Sequence, residues 1–359
     1  MTKTRKLSPL MGGVAALSFL ATGAMAEGSW YPLDANATNK AGEAGLVQLT
    51  PLSATEKASK NWNICVSVPH MKDPFFLAMN YGIIEEAKLL GVDVQTMDAG
   101  GYDRLADQVS QVENCVAGGA DAVVLVAISQ DGMGNLMNEL KEKNIPVIAA
   151  INPVNGETAA RVLTSPYDEG KRAGEYLAAK HPAGSDAVQV GWLPGPAGAG
   201  FVTAFDEGFK KGIEGSAVNI AETKNGDVGK EVQAALVEDM LQTHPDLNYV
   251  VGTAVMVEGA LPLLKSQDLQ DKVKLVSVYT TPGVYEALKA GQIDAAGSAP
   301  VVLTSRVVLD QAVRVLEGKL EYTDVGTLGM VYTPETVGTL DPLSVLPPAG
   351  YAPVFSLDQ

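Results

Sequence analysis

The sequence predicts an α/β protein of two Rossmann-like parallel-sheet lobes joined by a hinge of several crossing strands. Three observations predict it. From Asn63 onward, short apolar runs alternate with amphipathic helical stretches at the spacing of βαβ units. The alternation halts at Ser165-Pro166-Tyr167 and then begins again, so the pattern is laid down twice. The chain, at 359 residues, also exceeds the ~250–300 residues at which a single hydrophobic core stops growing.

Residues 1–26 read as an export leader. Lys3, Arg5 and Lys6 form a basic start, and Leu10 to Leu20 is apolar but interrupted by Gly12-Gly13. That stretch falls short of the ~20 residues a membrane span needs, which disfavours a retained anchor. Ala24-Met25-Ala26 has the small-x-small form that signal peptidase cleaves, giving a mature start at Glu27. No later segment reaches spanning length without charge, so the expected product is periplasmic, with no direct insertion into the membrane. Residues 27–60 are rich in small and polar types, with Trp30 and Tyr31 as isolated anchors, and read as an extended arm laid over the body.

The first lobe is predicted to span 61–164. Its strands fall near Ile64–Val68, Asp93–Met97, Ala122–Val126 and Pro146–Ala150, separated by helices Phe75–Leu90, Leu105–Ala117 and Met133–Lys143. A short strand, Arg161–Leu163, leads to the crossover. The second lobe, 165–279, takes helix Asp168–Ala179, strand Ala187–Leu193, helix Gly200–Gly212 and strand Val218–Thr223. It continues through helix Gly229–Thr243, strand Tyr249–Gly252, helix Met256–Ser266 and strand Lys274–Val278. Residues 280–318, with helix Pro282–Ala290, strand Ile293–Ala296 and helix Leu303–Gly318, are expected to return to the first lobe, and 319–340 to the second. The tail 341–359, with Pro342, Pro347, Pro348 and Pro353, reads as an irregular strap.

Composition narrows the partners. The formal charge is −16, and loss of the three basic residues with the leader makes it three units more negative. Such a surface repels phosphate backbones and argues against nucleic acid. It favours neutral or cationic ligands, although acidity also serves solubility alone. Cys65 lies near a strand start and Cys115 near the end of a helix running back along the sheet, so both reach the same edge of the layer. A disulfide and a pair of buried thiols both fit. No C-x-x-C or paired histidine accompanies them, so neither a metal nor a redox cofactor is expected.

The run Pro69-His70-Met71-Lys72-Asp73-Pro74 ends a strand and places Phe75 and Phe76 at the mouth of a helix. Ligands of α/β sheets bind beyond the carboxyl ends of the strands, so this loop is the first candidate site. Asp73-Pro74-Phe75-Phe76, the strand start Ile145-Pro146-Val147, Ser165 to Gly174 and Gly283 to Gly291 together resemble the type I periplasmic binding proteins of the ribose-binding kind. Within them the chain is most similar to the TorT sensors of trimethylamine N-oxide, which dock on a histidine kinase, TorS. The matching segments are Trp62 to Pro69, Lys72-Asp73, Leu77 to Gly82, Ala99 to Tyr102, Cys115, Leu193 to Pro196, Gly252 to Ala254, Val278-Tyr279 and Gly350 to Phe355. The resemblance implies the type I periplasmic binding protein fold, a small-molecule ligand and the sensor domain of a TorS-like kinase as partner.

Sugar binders of this kind carry Asp-Arg after the fourth strand and a further Arg on the second lobe. Here stand Ile151-Asn152, an Arg-free loop Pro194 to Phe201, Ala254-Val255 and Tyr279. A buried sugar would leave hydroxyls unpaired at roughly 1–3 kcal/mol each. Phe76, Tyr102, Tyr167 and Tyr279, from four strand ends, can instead form an aromatic cage around a methylated ammonium group. Each matches by position a ring of the TorT cage. Asp73, one turn from the rings, is placed to orient a lysine, a water or the ligand's positive end. In typical TorT proteins the positions of Phe76 and Tyr167 are tryptophan. The cage implies trimethylamine N-oxide first, then betaine-like or other methylated amines, and then an unrelated small apolar molecule. The bland alternative is that Phe75 and Phe76 staple their helix and the tyrosines pack the hinge.

Gly195-Pro196-Ala197-Gly198-Ala199-Gly200 lacks the dinucleotide-binding spacing and reads as a flexible cleft rim. His181 and His244 precede prolines and read as solvated helix caps, and His70 has no Ser or Cys nucleophile with a carboxylate partner. Asp73 and Glu258 facing each other as a glycosidase pair is the remaining catalytic reading. The chain is therefore expected to be a binding protein, not an enzyme: a sensor signalling to a histidine kinase of a two-component system, or, as the alternative, the substrate-binding protein of an ABC transporter.

Overall fold

The computed structural model describes Met1 and residues 30–52 and 57–359; the expected leader lies outside the described residues. The chain starts with a hairpin, β1 (Leu33–Asn39) and β2 (Ala44–Leu49), followed by β3 (Asn63–Val68), α1 (Pro74–Leu90), β4 (Asp93–Asp98), α2 (Leu105–Ala117), β5 (Ala122–Leu125), α3 (Gly134–Glu142), β6 (Val147–Ile151) and β7 (Ala160–Leu163). The second lobe runs through α4 (Pro166–Lys180), β8 (Val188–Gly195), α5 (Gly200–Ile213), β9 (Val218–Asn225), α6 (Lys230–Thr243), β10 (Tyr249–Gly252), α7 (Ala254–Ser266), β11 (Lys274–Ser277), α8 (Pro282–Lys289) and β12 (Ala295–Gly297). The chain then returns through α9 (Val301–Leu316) and β13 (Tyr322–Thr327), visits the second lobe at β14 (Val331–Tyr332), and ends at β15 (Ser356–Leu357).

The strands form two sheets, ordered β15-β4-β3-β5-β6-β7-β13-β1-β2 and β14-β12-β11-β10-β8-β9. Period-two alternation splits the first lobe's core into two layers. Ile64, Val66 and Val68 of β3 face α1 and α9, while Cys65 joins Val123 and Leu125 on the side of α2 and α3. The second lobe packs around Trp192, stacked 4.4 Å from Phe209. Among the described residues no helix is long and apolar enough to cross a membrane.

Four expectations are corrected. The arm of residues 27–60 is not merely laid on the body: β1 pairs antiparallel with β13 and β2, extending the first sheet. Its small residues allow this, since Ala35 and Ala37 are the inward positions of β1. Of residues 280–318, only α9 returns to the first lobe. The helix α8 and strand β12 complete the second sheet, because β12 pairs parallel with β11 and supplies the edge that β11 lacks. Conversely, β13, within the stretch expected in lobe 2, pairs parallel with β7 in the first sheet. The strap also ends in order: Asn80 accepts from Tyr351 and from the Val354 amide, and β15 pairs with β4.

Cys65 and Cys115 are disulfide-bonded, with Cα atoms 6.3 Å apart and 50 residues between them in sequence. A closed loop of that length restricts the unfolded chain by about 4 kcal/mol. Replacing both cysteines with alanine should lower stability by about that amount, read as a fall in the urea midpoint. An unchanged midpoint would mean that the bridge constrains nothing the fold does not already hold.

Candidate functional site

Between the lobes lies a cavity of about 60 Å³. The β3–α1 turn builds its first wall. Asp73 is the N-cap of α1, its carboxylate accepting the Phe75 amide at 2.9 Å, and Pro74 takes the first helical position, where a missing N–H costs nothing. This cap turns Phe75 and Phe76 into the cleft. Phe76 meets His70 edge-on at 4.9 Å and Phe75 at 5.4 Å between ring centroids. Tyr102 reaches in from the β4–α2 loop, where Gly100 supplies the left-handed backbone (φ 93°), and lies 5.4 Å from His70.

At the end of β6, Ile151 adopts φ 61°, a conformation that β-branched residues rarely take. The strain sits beside Asn152, whose amide donates to the Ala127 carbonyl at 3.1 Å and to the Tyr102 hydroxyl at 3.4 Å. Holding a ligand-facing side chain is the kind of task for which folds retain such strain.

The second lobe closes the box. Tyr279, just past β11, lies 5.6 Å from Phe75 and donates its hydroxyl to Asp73 across the cleft. Phe201 of α5 lies 5.4 Å from Tyr102, and Phe205 one turn on lines the same space. Lys72 and Asp227 add an exposed ion pair at 3.8 Å over the rim, worth little by itself.

The site therefore brings together Asp73, Phe75, Phe76, Tyr102 and Tyr279, but not Tyr167. That ring is 38% exposed and absent from the cavity lining. It sits two positions before Glu169 on α4, about 200° round the helix, so if Glu169 faces the cleft Tyr167 must face away. Its hydroxyl instead lies near Lys171 and Lys211 on the outer surface. His70 stands in the wall, as its place in the cleft loop allowed; Phe201, Phe205 and Glu169 are lining residues that sequence reasoning missed. The i, i+4 aromatic pair opening a helix straight after a strand was the available signal for the two phenylalanines. The loop read as a flexible rim leads into α5, whose second residue, Phe201, lines the cavity. Glu258 is no catalytic partner for Asp73; it lies outside the cavity lining, paired with Lys230 and accepting from Thr281. His181 and His244 cap their helices as expected but are not merely solvated, since their rings meet Tyr249 at 3.0 Å and Glu222 at 3.2 Å.

The electrostatics follow from enclosure. Burial pushes Asp73, 4% exposed, up to about 6, against the opposing pull of the Tyr279 hydroxyl and the Phe75 amide. Burial holds His70, 1% exposed, down at about 4, so it is neutral at pH 7. Neither of its ring nitrogens has a hydrogen-bond partner among the described residues. Burial raises Glu169 to about 8, partly countered by Arg172. Burial keeps Tyr102 and Tyr279 as phenols. Among the described residues no lysine or arginine lines the cavity. A box of π-faces with two carboxyl groups and no resident cation attracts a positively polarised guest.

The sequence profile of the periplasmic binding protein domain matches residues 64–320. Periplasmic protein TorT of Escherichia coli K12 is 33% identical over 307 residues, 85% of this chain and 86% of that protein. The ribose import binding protein RbsB of the same strain is 26% identical over 70% of this chain and 84% of its own. An ABC transporter solute binding protein from Bradyrhizobium sp. BTAi1 with bound Bis-Tris superposes with a TM-score of 0.79 at 47% identity, covering 91% of this chain and 99% of that one. The complex of the TorS sensor domain with TorT in the presence of trimethylamine N-oxide superposes with a TM-score of 0.75 at 30% identity, covering 82% and 100%.

Proposed function

Because this chain belongs to the periplasmic binding protein family and is related to TorT, we propose that it is a periplasmic sensor that closes on a small methylated amine, trimethylamine N-oxide first, and signals to the sensor domain of a membrane histidine kinase. The observation that carries this reading is the cavity: six phenyl and phenol rings from both lobes beside the His70 imidazole, two acids, and no lysine or arginine among the described lining residues. The Bis-Tris in the Bradyrhizobium relative is itself a tertiary amine, which supports the chemistry.

Ligand acts by its differential affinity for the closed form. The cross-cleft contact of Tyr279 with Asp73 and the packing of Tyr102 on Phe201 are made only when the lobes meet. Closure reshapes the outer faces of both lobes, and a kinase ectodomain docked there responds to that change. A second reading, delivery of the same guest to an ABC permease, is favoured by the description of the Bradyrhizobium relative. Co-elution of the purified protein with the kinase sensor domain supports the first reading, and co-elution with a permease alone supports the second.

The primary test is a thermal-shift panel of methylated amines, sugars and amino acids on the mature protein. Ligand at a hundred times its dissociation constant should stabilise by ~2.7 kcal/mol. A shift with a pentose and none with any methylamine would falsify the cage.

A further inference from the structure

We infer that Glu169 is the charge-reading residue of the cavity: as an acid it donates its O–H to the oxide oxygen of an amine N-oxide, and as a carboxylate it holds a quaternary ammonium cation, so its protonation selects between two guests of the same shape. This inference rests on the aromatic-cage reading above and specifies how that cage reads charge. Glu169 lines the ligand cavity and also a wider groove of about 540 Å³ behind it, at the hinge. Its carboxyl makes no hydrogen bond or ion pair among the described residues. Asp73, the other acid, is already engaged by the Tyr279 hydroxyl and the Phe75 amide. Glu169 is therefore the acidic group left free for a guest, and the groove gives its proton a route to solvent. His70, buried with both nitrogens unpaired in the same cavity, is independent evidence that the space is built for a polar occupant.

Other groups around Glu169 do not supply the switch. On its own helix it feels Arg172 and Asp168, the latter tied to Ser165. Across the cavity, His70 near 4 is neutral from pH 7 upward, and Asp73 near 6 is mostly ionised there. Tyr102 and Tyr279 are held as phenols, and Arg161 and Asp324 in the groove are paired with each other. Between pH 7 and 9.5, the main change of state in the cavity wall is that of Glu169, near 8 before a guest enters. Its acid form dominates below that value and its carboxylate above it. The proton balance follows: a cation entering the acid form expels the Glu169 proton to solvent, whereas an N-oxide retains it.

The test titrates the mature protein with trimethylamine N-oxide and with tetramethylammonium, calorimetrically, from pH 7 to 9.5. These near-isosteres differ in whether the fourth substituent is an oxide or a methyl group. N-oxide affinity is expected to fall by up to about tenfold per pH unit above 8, and tetramethylammonium affinity to rise by up to about tenfold per unit up to 8. E169Q should flatten both profiles. Profiles for the wild type that are flat or parallel overturn the inference whatever the variant does, as does an E169Q protein that keeps the crossing. If amines bind with flat profiles, only this assignment of Glu169 is lost. If neither guest binds at any pH, the cage reading fails and takes the assignment with it.

Discussion

Tyr279→Ala should weaken trimethylamine N-oxide binding by more than a hundredfold. The substitution removes a ring of the cage, worth up to ~2 kcal/mol toward a desolvated cation, and the only hydroxyl that crosses the cleft to Asp73 among the described contacts. A hydrogen bond to a charged group contributes ~1.5–3 kcal/mol. Together these approach 3–4 kcal/mol, a few hundredfold in affinity. Because Tyr279 also belongs to the second lobe's core, alanine lowers stability too, and the companion Tyr279→Phe separates the effects. It keeps the ring and the packing while removing the clamp, with an expected loss of about ten- to a hundredfold. Calorimetry gives the affinities, and small-angle scattering with saturating ligand reports closure. If Tyr279→Phe closes and binds as the wild type does, the Tyr279–Asp73 contact has no part in holding the lobes together.

The second large effect is structural. The helices α4 and α5 touch backbone to backbone through Gly170 and Gly174 on one and Gly208 and Gly212 on the other. A Cβ on Gly208 would lie 1.9 Å from the Tyr167 carbonyl oxygen, and one on Gly212 would lie 2.2 Å from that of Lys171. Carbonyl oxygens fixed in a helix backbone cannot yield as side chains do, so Gly208→Ala must push the helices apart. The expected cost is about 3 kcal/mol, at the upper end of overpacking, despite alanine's better helix propensity. The same displacement moves Glu169 on α4 against Phe201 and Phe205 on α5, so ligand affinity should fall with it. Gly134→Ala is the control: nothing lies within 4 Å of its added Cβ, and the change should be neutral or slightly stabilising. Urea midpoints compare the two. Equal midpoints would show that α4 and α5 tolerate separation.

The spacing Gly170-x-x-x-Gly174 and Gly208-x-x-x-Gly212 is present in the chain, and so is the Phe201/Phe205 pair. Neither can be read in isolation, because a glycine stripe acquires meaning only when the facing helix is known. Tyr167 shows the converse. Its place in the crossover suited a cage ring, yet the phase of α4, fixed by the Ser165 cap and Pro166, points it outward and delivers Glu169 instead. A residue at a loop–helix junction changes face with a shift of one position in the helix start, and composition does not fix that start.

The two α/β lobes, the cleft loop from Pro69 to Phe76 and most of its aromatic lining are legible from the chain alone, because they follow from local periodicity and capping within a few residues. The folded arrangement alone settles which strands close which sheet. The site of β13 depends on edge hydrogen bonds offered by β7, far away in the chain, and that of β12 on those of β11, one helix before it. The folded arrangement likewise settles which acid is free in the cavity: Asp73 is engaged by a tyrosine 206 residues away, and Glu169 is left to the guest. Electrostatic character at such a site is set by enclosure and by partners brought from distant segments, and neither exists until the lobes are folded and face each other.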